Sequence, residues 1–177
     1  MALSMHSMAV DTFVPMLGTL THLFEKTEEH SLAKRFDVAA RVSARLAPDM
    51  YPFWMQVQLA CYQAQDATAR LTGQSSPPLP KDPETLDELK ARVQRTVDYL
   101  RNVPKDAFEG AEDRAIEIRV DDTRRFEMTG LQLLRDWALP HFYFHVVTAY
   151  DILRHHGVDI GKRDYLRHAG VYLRQRG

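Results

Sequence analysis

The sequence has one cysteine, Cys61, in 177 residues. No internal disulfide framework is therefore possible, and the usage agrees with a reducing compartment. Neither sign of charge is in excess: 23 Lys and Arg stand against 24 Asp and Glu. A nearly neutral chain supplies no strong field to draw in nucleic acid or anionic lipid, so no nucleic-acid partner is expected. No stretch approaches the roughly 18 consecutive apolar residues of a membrane span. MALSMHSMAVDTFVP, at the start, lacks a basic segment followed by an uninterrupted apolar one. A cytoplasmic protein without a membrane partner is the expectation. Also missing are a phosphate-cradling glycine loop, a Ser-His-Asp order and a paired-carboxylate motif, which leaves nucleotide-dependent and nucleophilic chemistry without a carrier. Cys61 has no neighbouring cation and reads as a small packed hydrophobe.

What is present is helical periodicity. The length suits a single domain over 1–177, with a core over roughly 5–167 and a tail over 168–177. Residues 5 to 29 read as a first helix, because Phe13, Met16, Leu17, Leu20, Leu23 and Phe24 recur at spacings of three and four. Pro15 either bends it or marks its start, and His22 and His30 lie off the stripe as solvated side chains. A second helix runs through residues 45 to 71, with Asp49 as N-cap and Pro52 in the first turn. Its stripe of Phe53, Val57, Ala60, Ala64, Ala67 and Leu71 is narrow and small enough for a neighbour to approach closely. TGQSSPPLPKDPE is a loop closed by Asp82 and Pro83 at the start of the next helix. That third helix carries Leu86, Leu89, Val93, Val97 and Leu100 on one face.

Between residues 114 and 129 the period changes to two, with Ile116, Ile118 and Val120 alternating with charged residues, a turn at Asp121-Asp122-Thr123, then Phe126 and Met128. The expected β-hairpin is marginal alone and must lie against the helices or a second subunit. A last long helix starts near Thr129 and ends at Gly157 as C′, with a kink or break at Pro140.

His141 and His145 are four apart, one turn apart on one face of that helix, so both imidazoles can reach one ion. Two imidazoles alone are not a site, since zinc-class ions take three or four protein ligands, or three plus water. The other reading is a pair of core or surface residues.

The helix order, the hairpin before the last helix, RLAPDMYPFWMQVQLA, and FYFHVVTAYDILRHHGVDIGKRDYL together resemble a bacterial domain-of-unknown-function family, numbered nineteen ninety-three, within the DinB/YfiT-like superfamily. The likeness spans roughly residues 5 to 167. It implies an all-α antiparallel four-helix bundle with a small β-hairpin, often a homodimer, and a divalent metal (zinc, nickel or iron) held by three histidines. Two ligands of the superfamily pattern form HxxxH on the last helix, matching His141 and His145. The third comes from the second helix, where this sequence has no histidine. Gln56 and Asp49 are the weak candidates for that place. In the alternative, His145 is a buried polar residue hydrogen-bonded across the core to Gln56.

Two functions follow from these residues. One is a small-molecule-binding or dimerising bundle with a degenerate metal site, its pocket lined by Trp54, Tyr143, His145 and Tyr150. The other is a metal-dependent enzyme, a thiol transferase or hydrolase-like protein, in which the metal activates a thiol or water and no protein nucleophile is needed.

Overall fold

The structure is a computed structural model that describes residues 4–78 and 85–174. Helix α1, Met5–Lys34, opens on a reciprocal cap between Ser4 and Ser7 and ends at Arg35 in the left-handed conformation. It starts well ahead of Pro15, which sits inside it. The missing N–H of Pro15 leaves the carbonyl of Asp11 unpaired in the helix, and Asp11 is exposed, where water can take its place. Every residue of the expected apolar stripe is buried.

A short helix α2, Ala39–Val42, was not legible in the sequence. It leads into α3, Phe53–Thr72, whose N-cap is Pro52. Asp49 is therefore not the cap: it lies exposed in a turn closed by the Met50 N–H donating to the Ala47 carbonyl. Pro52, with φ fixed at −68° and an extended ψ, presents its carbonyl to the N–H groups of Met55 and Gln56. The Arg45 guanidinium donates to the Met50 carbonyl and steadies the approach.

Helix α4, Leu86–Asn102, is capped by Thr85 and Glu88 in a reciprocal box, which satisfies two otherwise orphaned donors. The expected Asp82 and Pro83 start lies outside the described residues. The hairpin joins β1, Ala115–Arg119, to β2, Arg125–Thr129, in antiparallel register. Ile116 faces Met128 and Ile118 faces Phe126 on one side, while Glu117 faces Glu127 on the other. Arg125 lies between those two carboxylates, at 3.2 and 2.6 Å, and offsets their repulsion. Ile116, Ile118 and Met128 pack on the helical core, and Arg70 donates to the Glu117 carbonyl at 3.0 Å. The hairpin thus lies against the helices of its own chain.

The chain then enters α5, Gly130–Gln132, capped by Thr129. Gly130 meets the backbone so closely that a Cβ there would stand 1.9 Å from the Ala111 oxygen. A wide π turn, Leu133–Ala138, follows and passes directly into α6, Leu139–His155. The expected break at Pro140 is absent. Proline crowds the carbonyl four residues before it, and the wide turn ahead of Pro140, marked by the Leu139 N–H bonding back to Leu134, makes room for it. Gly157, at φ 85°, is the C′ residue as expected, with the Val158 N–H closing on the Leu153 carbonyl.

Helices α1, α4, α3 and α6 touch in that cyclic order and share one core. Helix α7, Lys162–Tyr165, lies back on α1: the Thr19 hydroxyl donates to the Tyr165 carbonyl, and His22 Nε2 donates to Asp164 at 2.9 Å. His22 is thus not a free surface side chain. Tyr165 docks against Tyr150, whereas Tyr172 and Leu173 stand exposed. Among the described residues no helix is long and apolar enough to cross a membrane.

Candidate functional site

The α3 and α6 faces meet along small residues of α3, and this close seam brings Gln56 opposite His145. Both are buried. Gln56 Nε2 donates to the Tyr51 carbonyl at 3.1 Å. A carbonyl can only accept, so the amide must turn its Oε1 the other way, toward His145 Nδ1 at 2.8 Å. Nδ1 must then carry the proton, and Nε2 presents a bare lone pair. Burial, with the neighbouring His141 charge acting in the same direction, pushes the His145 imidazole down to about 4. It is a neutral acceptor of fixed tautomer at physiological pH.

His141 lies one turn earlier on α6. Its ring packs edge-on against Trp137 at 4.5 Å, and Trp137 in turn meets Phe126 of the hairpin at 4.9 Å. His141 Nδ1 is buried and has no hydrogen-bond partner among the described residues. The hairpin therefore forms an aromatic wall leading to the histidine pair.

The other expected site residues are distributed differently. Trp54 is half-buried against the core at the start of α3, and Asp49 is in the exposed turn before it. Tyr143 and Tyr150 share the opposite side of α6 from His145, since residues seven apart repeat on one face and residues two apart do not. There Tyr150 contacts Tyr165 at 6.0 Å, and Tyr143 lies close enough to raise the Tyr165 pKa in addition to the effect of burial. The structure thus brings together His141, His145 and Gln56, and separately a tyrosine cluster. Trp137 and Phe126 were missed as site residues; the i, i+4 spacing of Trp137 and His141 was the available signal.

No group of three His, Cys, Asp or Glu side chains that could hold a metal ion is found among the described residues. The donors at this point are two imidazoles and one neutral amide already engaged at both ends. That set falls short of a zinc-class centre.

The chain is similar to a solved structure, a DinB family member protein from Shewanella denitrificans. The two share 36% identity and a TM-score of 0.85, over 91% of this chain and 90% of that one. The class is thus a DinB-like helical protein. Residues 5–166 match the model of a domain of unknown function, DUF1993, and the chain belongs to that family. No curated protein matches it.

Proposed function

We propose that the chain is a small-molecule-binding, dimerising protein built as an antiparallel four-helix bundle of the DinB/YfiT type, in which the metal position has become a hydrogen-bonded amide and imidazole. The observation that carries this reading is the Gln56 to His145 hydrogen bond, with Gln56 anchored in turn on the Tyr51 carbonyl. A neutral imidazole with a free Nε2 lone pair suits a ligand that donates a hydrogen bond, and Trp137 and Phe126 supply an aromatic face beside it.

Dimerisation is supported by α6, where Phe144 is 55% and Val147 39% exposed, one turn apart beside the partly exposed Tyr143. A second copy covering this face would remove it from water. Phe144→Glu is expected to shift a sedimentation profile from dimer to monomer.

The test of the site is elemental analysis of protein purified without an affinity tag or chelator. The expected result is metal-free protein that takes up no added zinc, nickel or iron. Near-stoichiometric metal, lost in both His141→Ala and His145→Ala, would overturn the reading in favour of a metal-dependent enzyme.

A further inference from the structure

The hairpin leaves one strand edge open. Beside its turn the Val120 N–H donates to the Arg124 carbonyl at 2.9 Å. An antiparallel ladder alternates bonded and non-bonded pairs, so Ile118 with Phe126 and Ile116 with Met128 are the pairs that exchange hydrogen bonds. The residues between them turn their N–H and C=O groups away from the ladder. On β1 the Glu117 carbonyl does so and accepts from the Arg70 guanidinium at 3.0 Å. On β2 the outward groups belong to Arg125 and Glu127. Among the described residues the sheet has two strands, and Arg125, Phe126 and Glu127 are all exposed, Phe126 at 45%. The outer edge of β2 therefore faces water.

An open edge is a template for another strand, and charged side chains on it usually discourage pairing. What matters is which charges meet in each register. Two copies of β2 running antiparallel about a two-fold axis can be centred on Arg125, on Phe126 or on Glu127. The first sets arginine opposite arginine and the last sets glutamate opposite glutamate. Centring on Phe126 sets Arg125 opposite the partner's Glu127, and Glu127 opposite the partner's Arg125. These are also the residues whose backbone groups point outward, so each such pair exchanges both of its hydrogen bonds. The β1 neighbours extend the match: Glu117 stands beside Glu127 and Arg119 beside Arg125, so a row of carboxylates runs into a row of guanidiniums across the axis.

From this charge match we infer that a second copy of the chain pairs edge to edge with β2, giving one continuous antiparallel sheet centred on Phe126. The two Phe126 side chains meet at the axis, in the non-bonded position where side chains approach most closely. The inference rests on the dimerisation proposed above and names a contact for it, on residues separate from Phe144 and Val147. Ring contacts from Phe126 to Trp137 and from Trp137 to His141 lead from the strand edge onto α6, the helix that carries that exposed face.

The experiment is sedimentation of the full chain, of Arg125→Glu and Glu127→Arg, and of an equimolar mixture of the two variants. Each variant alone sets like charges opposite one another, and its self-association should weaken at least about tenfold. In the mixture an acidic edge meets a basic one, and a heterodimer should form with about the parent's affinity. A defect confined to the fold of one chain would not be rescued by mixing, and thermal melts establish that each variant is folded. Phe126→Cys should form an intermolecular disulfide on mild oxidation, because a non-bonded pair at the axis brings its Cα atoms within disulfide reach. Arg125→Cys and the parent, whose one cysteine is the buried Cys61, should not. A monomeric parent would overturn both the inference and the dimerisation it rests on. A dimer lost in Phe144→Glu but indifferent to both charge variants would overturn the β2 pairing alone, as would a mixture no tighter than either variant. Crosslinking of Arg125→Cys in place of Phe126→Cys would overturn the register.

Discussion

Gln56 and His145 fix each other's chemistry because one backbone carbonyl, that of Tyr51, decides which end of the amide faces the ring. Gln56→Leu keeps the bulk but leaves the His145 Nδ1–H buried without an acceptor. Chemical denaturation should show a loss of about 1–3 kcal/mol. The same pair predicts a pH dependence with a definite sign. An imidazole of ordinary pKa about 6.5 in the unfolded chain, held at about 4 in the folded one, takes up its proton first when unfolded. Its contribution is therefore fully present above the unfolded value and is lost as pH falls from there toward 4. Denaturation midpoints across that window should decline less in His145→Asn than in the parent. Much of this was readable in advance: a histidine among core residues needs a partner, and the glutamine near the start of the second helix was the natural one. The tautomer was not readable, since it depends on a carbonyl in an irregular turn.

At the scale of elements, periodicity located α1, α4 and the hairpin closely because each has one buried face and one wet one. It misplaced the start of α3, where a carboxylate preceding a proline resembled a cap although Pro52 itself takes the cap position. It also missed α7, whose four residues are too few to show a period. That short helix is held by His22, which donates to Asp164, and by the Gly161 N–H bonding to the same carboxylate at 2.8 Å. Together these hold the Asp164 carboxyl below its ordinary range, the His22 bond being the larger cause. A depressed carboxylate stabilises above its unfolded pKa and ceases to do so as pH falls through its folded one. Asp164→Asn should loosen the strap at neutral pH, seen as faster amide exchange over residues 162–166, and parent protein should approach that behaviour only in acid.

Across the whole molecule, the most extensive helix pairing among the described residues is α3 with α6, and the small stripe of Ala60, Ala64 and Ala67 suits a close neighbour. Ala64→Leu adds volume where none is free and should cost about 1–3 kcal/mol in thermal unfolding. That pairing is also what sets Gln56 against His145, so the variant should disturb the ring resonances of His145 as well. The small stripe was plain in the sequence, but which helix would fill it was not, because α4 and α6 both offer an apolar face. The burial of Arg92 was hidden for a similar reason: the periodicity of the third helix marked only its apolar residues as buried, and only packing shows that this arginine is buried with them.

The π turn at 133–138 bears on how the length of the chain can change. A wide turn stores one more residue than an α turn would over the same rise, while the helix on either side keeps its facing. A single codon can be gained or lost there without rotating the hairpin relative to α6. A one-residue deletion there should leave a folded protein, with Pro140 crowding as its main penalty, whereas the same deletion within α3 should not. Related chains of slightly different length are expected to spend their difference at this turn.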